Sequence, residues 1–142
     1  MASWLDGLRD RLVTAGIGKK LSDPTLLATS VAISVNFLPD DHDRAVALFS
    51  DSGREPTQVH DKPGISTFRP RLRAWCRHDR NARSSAEDLA LSVMSNLALV
   101  RNVSIGGFWF HSIWPTGNPT EVLTDDQGRP IFLTIFDVER NA

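Results

Sequence analysis

The chain has a single cysteine, Cys76, among 142 residues, so no disulfide within the chain can form. That usage fits a reducing compartment. Charge excess is also missing. Sixteen basic and seventeen acidic residues leave a formal charge of −1, which gives no global field for gripping nucleic acid or a membrane surface. Nor does any window approach the ~20 apolar residues that a membrane helix requires. The N-terminal stretch from Met1 to Leu12 mixes charges among its apolar positions, unlike a secretory signal. The expectation is a soluble protein without a membrane partner.

Chemical motifs are equally scarce. His42, His60, His78 and His111 are scattered, none with a partner at metal-ligand spacing, and one cysteine cannot build a thiolate zinc site. The nucleophile-elbow, P-loop, dinucleotide and EF-hand patterns do not occur. Gly16-Ile17-Gly18 follows a helical pattern rather than a strand, the wrong context for phosphate. The acidic runs Asp40-Asp41-His42-Asp43 and Asp125-Asp126 lie among turn residues, where carboxylates are ordinarily solvated. Cys76 falls in the apolar register of a strand, and a buried thiol is inert. These absences point away from an enzyme and name no metal, catalytic residue or cofactor.

What is present is alternation and helical periodicity at 41% hydrophobic content, enough for a single domain over residues 1–142. Trp4, Leu5, Leu8, Leu12 and Val13 form a helical stripe with Ser3 as N-cap and Gly16 and Gly18 as stops. Val31, Ile33, Val35 and Phe37 alternate with Ala32, Ser34, Asn36 and Leu38 as in a strand, and Ala45–Phe49 reads as another. Asp51–Gly64, with its prolines and glycines, predicts an exposed loop. Thr67–Arg77 is the clearest strand, with Pro70 implying an edge or an irregularity. Ser84–Val100 predicts a helix opened by a Ser84–Glu87 capping box, with Leu89, Val93 and Leu97 packed on Leu72 and Ala74. Val103–Ile105, Gly106-Gly107 and Phe108–Ile113 form a hairpin pattern. Pro115–Gly128 predicts a long polar loop before the final strand, Ile131–Val138. The order implies an α+β fold, a mostly antiparallel sheet with helices packed on one face.

Two features call for a partner. Arg69, Arg71 and Arg73 occupy alternate positions of one strand, with Trp75 beside them and Arg77 in the same register. A row of guanidiniums repels itself unless something neutralises it, so it is either a solvated face or a docking face for acidic protein or nucleic acid. In Phe108-Trp109-Phe110, alternation sends Trp109 to the face opposite the two phenylalanines, and interfaces favour exposed tryptophan.

The order of segments resembles the tail terminator (minor capsid) proteins of long-tailed bacteriophages. The resemblance rests on Ala15-Gly16-Ile17-Gly18 after the first helix and on Gly53-Arg54-Glu55-Pro56 leading to Val59-His60-Asp61. It continues through Arg69-Pro70-Arg71-Leu72-Arg73-Ala74 and Asn102-Val103-Ser104-Ile105-Gly106-Gly107 to Asp126-x-Gly128-Arg129-Pro130. The chain departs from the pattern between Lys19 and Asn36. The resemblance implies a non-catalytic virion subunit that forms a six-membered ring at the head-proximal end of the tail, after assembly in the host cytoplasm. Its implied partners are its own copies, the tail tube protein and the head–tail connector. Arg69, Arg71, Arg73, Trp75, Trp109, Arg54 and Glu55 are the candidate interface residues. Another connector or adaptor protein of the head–tail joint is the nearest alternative. A nucleic-acid-binding module on the arginine face is a further one, opposed by the net charge and by the single aromatic within the stripe. A small-molecule enzyme is the remaining one, without a supporting constellation.

Overall fold

The computed structural model of the chain describes residues 3–57 and 67–141, with residues 52–57 described by their backbone. Its elements are α1 (Trp4–Thr14), β1 (Lys19–Lys20), β2 (Ala32–Val35), β3 (Ala45–Thr57), β4 (Thr67–Arg77), α2 (Arg83–Leu97), β5 (Arg101–Ile105), β6 (Phe108–Pro115), β7 (Thr120–Thr124) and β8 (Pro130–Asn141). The strands form one sheet in the order β1-β2-β3-β4-β8-β6-β5, and β7 pairs with β8 beside β6. Antiparallel pairing predominates. The β1–β2 and β2–β3 pairs are parallel, so the sheet is mixed.

α1 begins where the sequence predicts. The Asp6 carboxylate accepts from the Ser3 N–H at 2.8 Å, and Gly16 takes the left-handed conformation (φ 82°) just past the C-cap. The predicted start of α2 is corrected. Its N-cap is Ala82, with no side-chain cap, and Ser84 lies inside the helix. Tertiary contacts override the capping box, because Arg83 reaches the Glu121 carboxylate and lies 5.5 Å from the centre of the Phe132 ring.

One hydrophobic cluster joins both helices to the sheet. Leu5, Leu8 and Leu12 of α1 and Ala90, Val93 and Leu97 of α2 meet Val46 and Leu48 of β3, Leu72, Ala74 and Cys76 of β4, and Phe132, Phe136 and Val138 of β8. These sheet positions follow the two-residue period that a half-covered sheet requires. Leu89 is partly buried against the cluster.

Two expectations for the connections change. β3 continues through Thr57, so the predicted loop over Asp51–Gly64 is strand in its first half; residues 58–66, including Val59-His60-Asp61, lie outside the described residues. The predicted loop Pro115–Gly128 contains β7, which returns through a tight turn. There Asp125 Oδ1 accepts from the N–H groups of Gln127 and Arg129, and Gly128 supplies φ 75°. β4 is paired on both sides, so Pro70 does not mark an edge. It marks an irregularity, because the β3–β4 register jumps between Asp51–Arg71 and Arg54–Arg69.

Parallel neighbours need a crossover, and residues 36–44 provide it between β2 and β3. This strap lies against the sheet face away from the cluster. Ala32, Ala45 and Ala47 are fully buried there, small residues beneath a close-packed chain. Two buried arginines hold it. Arg77 donates to the carbonyls of Pro39, His42 and Asp43. Arg129 donates to the Asp40 carbonyl at 2.9 Å, to Asp43 at 3.1 Å and to Asp125 at 2.7 Å.

Candidate assembly surface

Beyond the strap, the same sheet face is open. The ladder register lines its residues up across strands: Asp51, Arg71 and Asp137 share one row, as do Phe49, Arg73 and Ile135, and Ala47, Trp75 and Leu133. Each arginine of the predicted stripe meets an acid of a flanking strand. Arg69 Nε is 3.5 Å from Glu139, Arg71 Nε is 3.6 Å from Asp137, and an Arg73 terminal nitrogen is 2.5 Å from Asp51. The stripe therefore faces away from the core, as alternation requires, but its charges are met within the chain. The carboxylates come from strands distant in sequence, so β4 alone could not reveal them.

Arg77 departs from the pattern. It shares the register of the stripe but is 1% exposed and spent on the strap. Burial, with the adjacent Arg129 guanidinium, depresses its pKa, and the three carbonyl acceptors compensate. Trp75 is half-buried between Ala47 and Leu133. Arg54 is the register partner of Arg69; the side chains of Arg54 and Glu55 lie outside the described ones.

Trp109 is 40% exposed, opposite the buried Phe110, as alternation predicts. Trp114 is 56% exposed and was not among the predicted site residues. Strict alternation from Phe108 and Phe110 would turn Trp114 inward. A register shift between Phe110 and Ser112 reverses the parity, burying Ile113 and turning Trp114 out, where the Arg101 guanidinium lies 4.9 Å from its ring centre. No local sequence signal announces that bulge.

Between the strap and the open face lies a cleft of about 420 Å3, lined by Leu38, Phe49, Ser50, Asp51, Arg73 and Trp75. A larger one of about 660 Å3 separates α1 from β2. Its charged walls are already engaged, Arg9 with Asp6 and Lys20 with Asp10. Among the described residues, no group of three or more His, Cys, Asp or Glu side chains is placed to hold a metal. Cys76 is fully buried, and burial pushes its thiol up to about 12, which removes the thiolate a nucleophile needs.

The sequence profile of a family described as bacteriophage tail terminator protein matches residues 15–140. The chain belongs to that family. It is accordingly a structural protein of a phage-type tail. In fold, this terminator-family chain is similar to a chain in a solved structure titled "Virion of native gene transfer agent (GTA) particle". The TM-score is 0.65 at 13% identity, over 99% of this chain and 96% of that one. No curated protein sequence matches it.

Proposed function

We propose that the chain assembles into a ring, six-membered as the family resemblance implies, on the head-proximal end of the tail tube. There it ends tube polymerisation and offers its far side to the head-side connector. Its work is assembly rather than turnover, performed in the virion after assembly in the host cytoplasm.

The observation that carries this reading is the open sheet face of a tail-terminator-family chain. One side of the sheet is closed by both helices, and the other presents ordered acid–base rows and two exposed tryptophans. Patterned charge with aromatic anchors suits a specific protein partner, since charges select the partner and buried aromatic rings supply most of the affinity. The alternative of a nucleic-acid module loses its main support, because a phosphate backbone needs unmatched cations and these arginines have carboxylate neighbours.

The test is to add the purified protein to tail tubes assembled without it and to image the complexes. The expected result is one ring at one end of each tube, with no further growth when tube protein is added. Decoration along the tube, or binding only to the portal-side ring, would replace the terminator reading with that of a connector or adaptor.

A further inference from the structure

The cleft beside the strap has walls of one kind and a floor of another. Leu38, Phe49 and Trp75 are apolar, while Asp51 and Arg73 form an ion pair between them. That combination suits an aromatic ring with a polar hydrogen, tyrosine or tryptophan, and the chain has no tyrosine. An indole ring would pack on the apolar walls, set a π-face beneath the Arg73 guanidinium and direct its N–H to the Asp51 carboxylate. The chain itself carries two exposed indoles on the same sheet. Trp114 already has its ring engaged by Arg101. Trp109 has no ring or cation contact among the described residues and is 40% exposed beside the glycine turn of the β5–β6 hairpin.

Trp109 cannot reach the cleft of its own copy. The β6–β8 register puts it level with Asn141, which pairs with Thr67 of β4. From Thr67 to Arg73 and Trp75 is roughly 20–26 Å along the strand at ~3.3 Å per residue, and β6 is separated from β4 by β8. We propose that Trp109 of one copy inserts into the Leu38–Phe49–Trp75 cleft of the next. This rests on the ring reading and specifies its subunit contact. Knob and socket are different patches, so the contact is head-to-tail, the type that closes a ring when the rotation per subunit divides the circle. Each inserted indole buries on the order of 150–250 Å2 at the centre of the contact.

The test keeps both knob and socket intact. Ser104 is the exposed cross-strand neighbour of Trp109, and Arg71, exposed on the same sheet face as Arg73, pairs with Asp51 at the edge of the cleft without lining it. A Ser104→Cys, Arg71→Cys chain, assembled on tail tubes and treated with a short bismaleimide, should give covalent ladders that end at the closed ring. Cys76, fully buried, does not compete. Adding Trp109→Ala should leave the unfolding midpoint unchanged while weakening ring formation roughly thirtyfold or more, as loss of an interface hot spot does. Trp109→Phe, which keeps a ring but loses the N–H, should fall between. Rings that form on tubes without a covalent bridge between the two introduced thiols, or that tolerate Trp109→Ala, overturn this contact and leave the terminator reading standing. A bridge from the thiol introduced at position 104 to the tube protein instead assigns the knob to that partner and also overturns it. Failure of the unmodified chain to form any ring on tubes would remove both readings together.

Discussion

Gly7 of α1 lies backbone to backbone against Gly106 of the β5–β6 turn. A Cβ on Gly106 would stand 3.1 Å from the Gly7 Cα, and one on Gly7 would stand 3.2 Å from a methyl of Ile105. The helix thereby fixes the hairpin that carries Trp109. Gly106 and Gly107 both have positive φ, 60° and 85°, but a Cβ on Gly107 would meet nothing within 4 Å. Gly107→Ala should therefore show the conformational cost alone, about 1–2 kcal/mol. Gly106→Ala should cost about 1–3 kcal/mol more, from overpacking against the helix. Equal losses in denaturant unfolding would mean that the close approach relaxes freely.

Arg129 connects two chain segments that are remote in sequence. Its guanidinium, 3% exposed, ties Asp43 and the Asp40 carbonyl of the strap to Asp125 of the β7–β8 turn. Truncation leaves a half-sequestered carboxylate and a carbonyl without their donor, so Arg129→Ala should cost roughly 2–4 kcal/mol. Protease cleavage within residues 36–44 should accelerate more than cleavage elsewhere. Even acceleration over the whole chain would show that the strap has no local stability of its own.

The sequence made the helices, the glycine hairpin and the β4 alternation legible, because each is written in local periodicity or turn chemistry. Leu72, Ala74 and Cys76 are buried and Arg69, Arg71 and Arg73 lie opposite, as the period of two requires. What stayed hidden depends on contacts far along the chain. Arg77 reads like the other arginines of its strand until the strap arrives to receive it. β7 was concealed because all of its residues are exposed, so Thr-Glu-Val-Leu-Thr offers no buried face to set a pattern. Of the candidate surface, Trp109 and the stripe were readable. Trp114 was masked by a bulge, and the cleft by the strap.

Acid should loosen the region around the end of β4 before it reaches the carboxylates. Burial pushes His78 below its usual 6.5, with Arg44 adding to the effect and Asp79 opposing it. The unfolded chain then takes up this proton more readily than the native one. The His78 contribution is present in full above about 6.5 and is lost as pH falls below it. Asp79 is held below 3.8 by its hydrogen bonds from Arg44. Asp125 is also held below 3.8: burial opposes its ionisation, but the donors of Arg129 and Gln127 outweigh it. A second loss should therefore follow as pH drops through and below that value. Urea midpoints measured from pH 8 downward should fall in two stages, and His78→Gln should flatten the first while sparing the second. An unchanged upper stage in that variant would assign it to another group.

The acid–base rows permit a test that separates their service to the sheet from their service to a partner. Replacing Arg71 by glutamate sets two acids against each other, the new carboxylate beside Asp137, and should cost up to about 1 kcal/mol, the scale of an exposed pair. Adding Asp137→Arg reverses the pair and restores that attraction, so the doubly substituted chain should recover most of the loss in urea unfolding, falling short of the parent by the repulsion between the new carboxylate and Asp51 in the same row. A neighbouring subunit or tube surface, however, would meet the opposite pattern of charge, and juxtaposed like charges at an interface cost several kcal/mol. The swapped chain should thus fold like the parent and fail to cap tails, and high salt, which screens the repulsion, should partly restore its capping. Normal capping by the swapped chain at low salt would show that the Arg71–Asp137 row serves its own sheet alone. The burden of recognition would then pass to the tryptophans and the cleft.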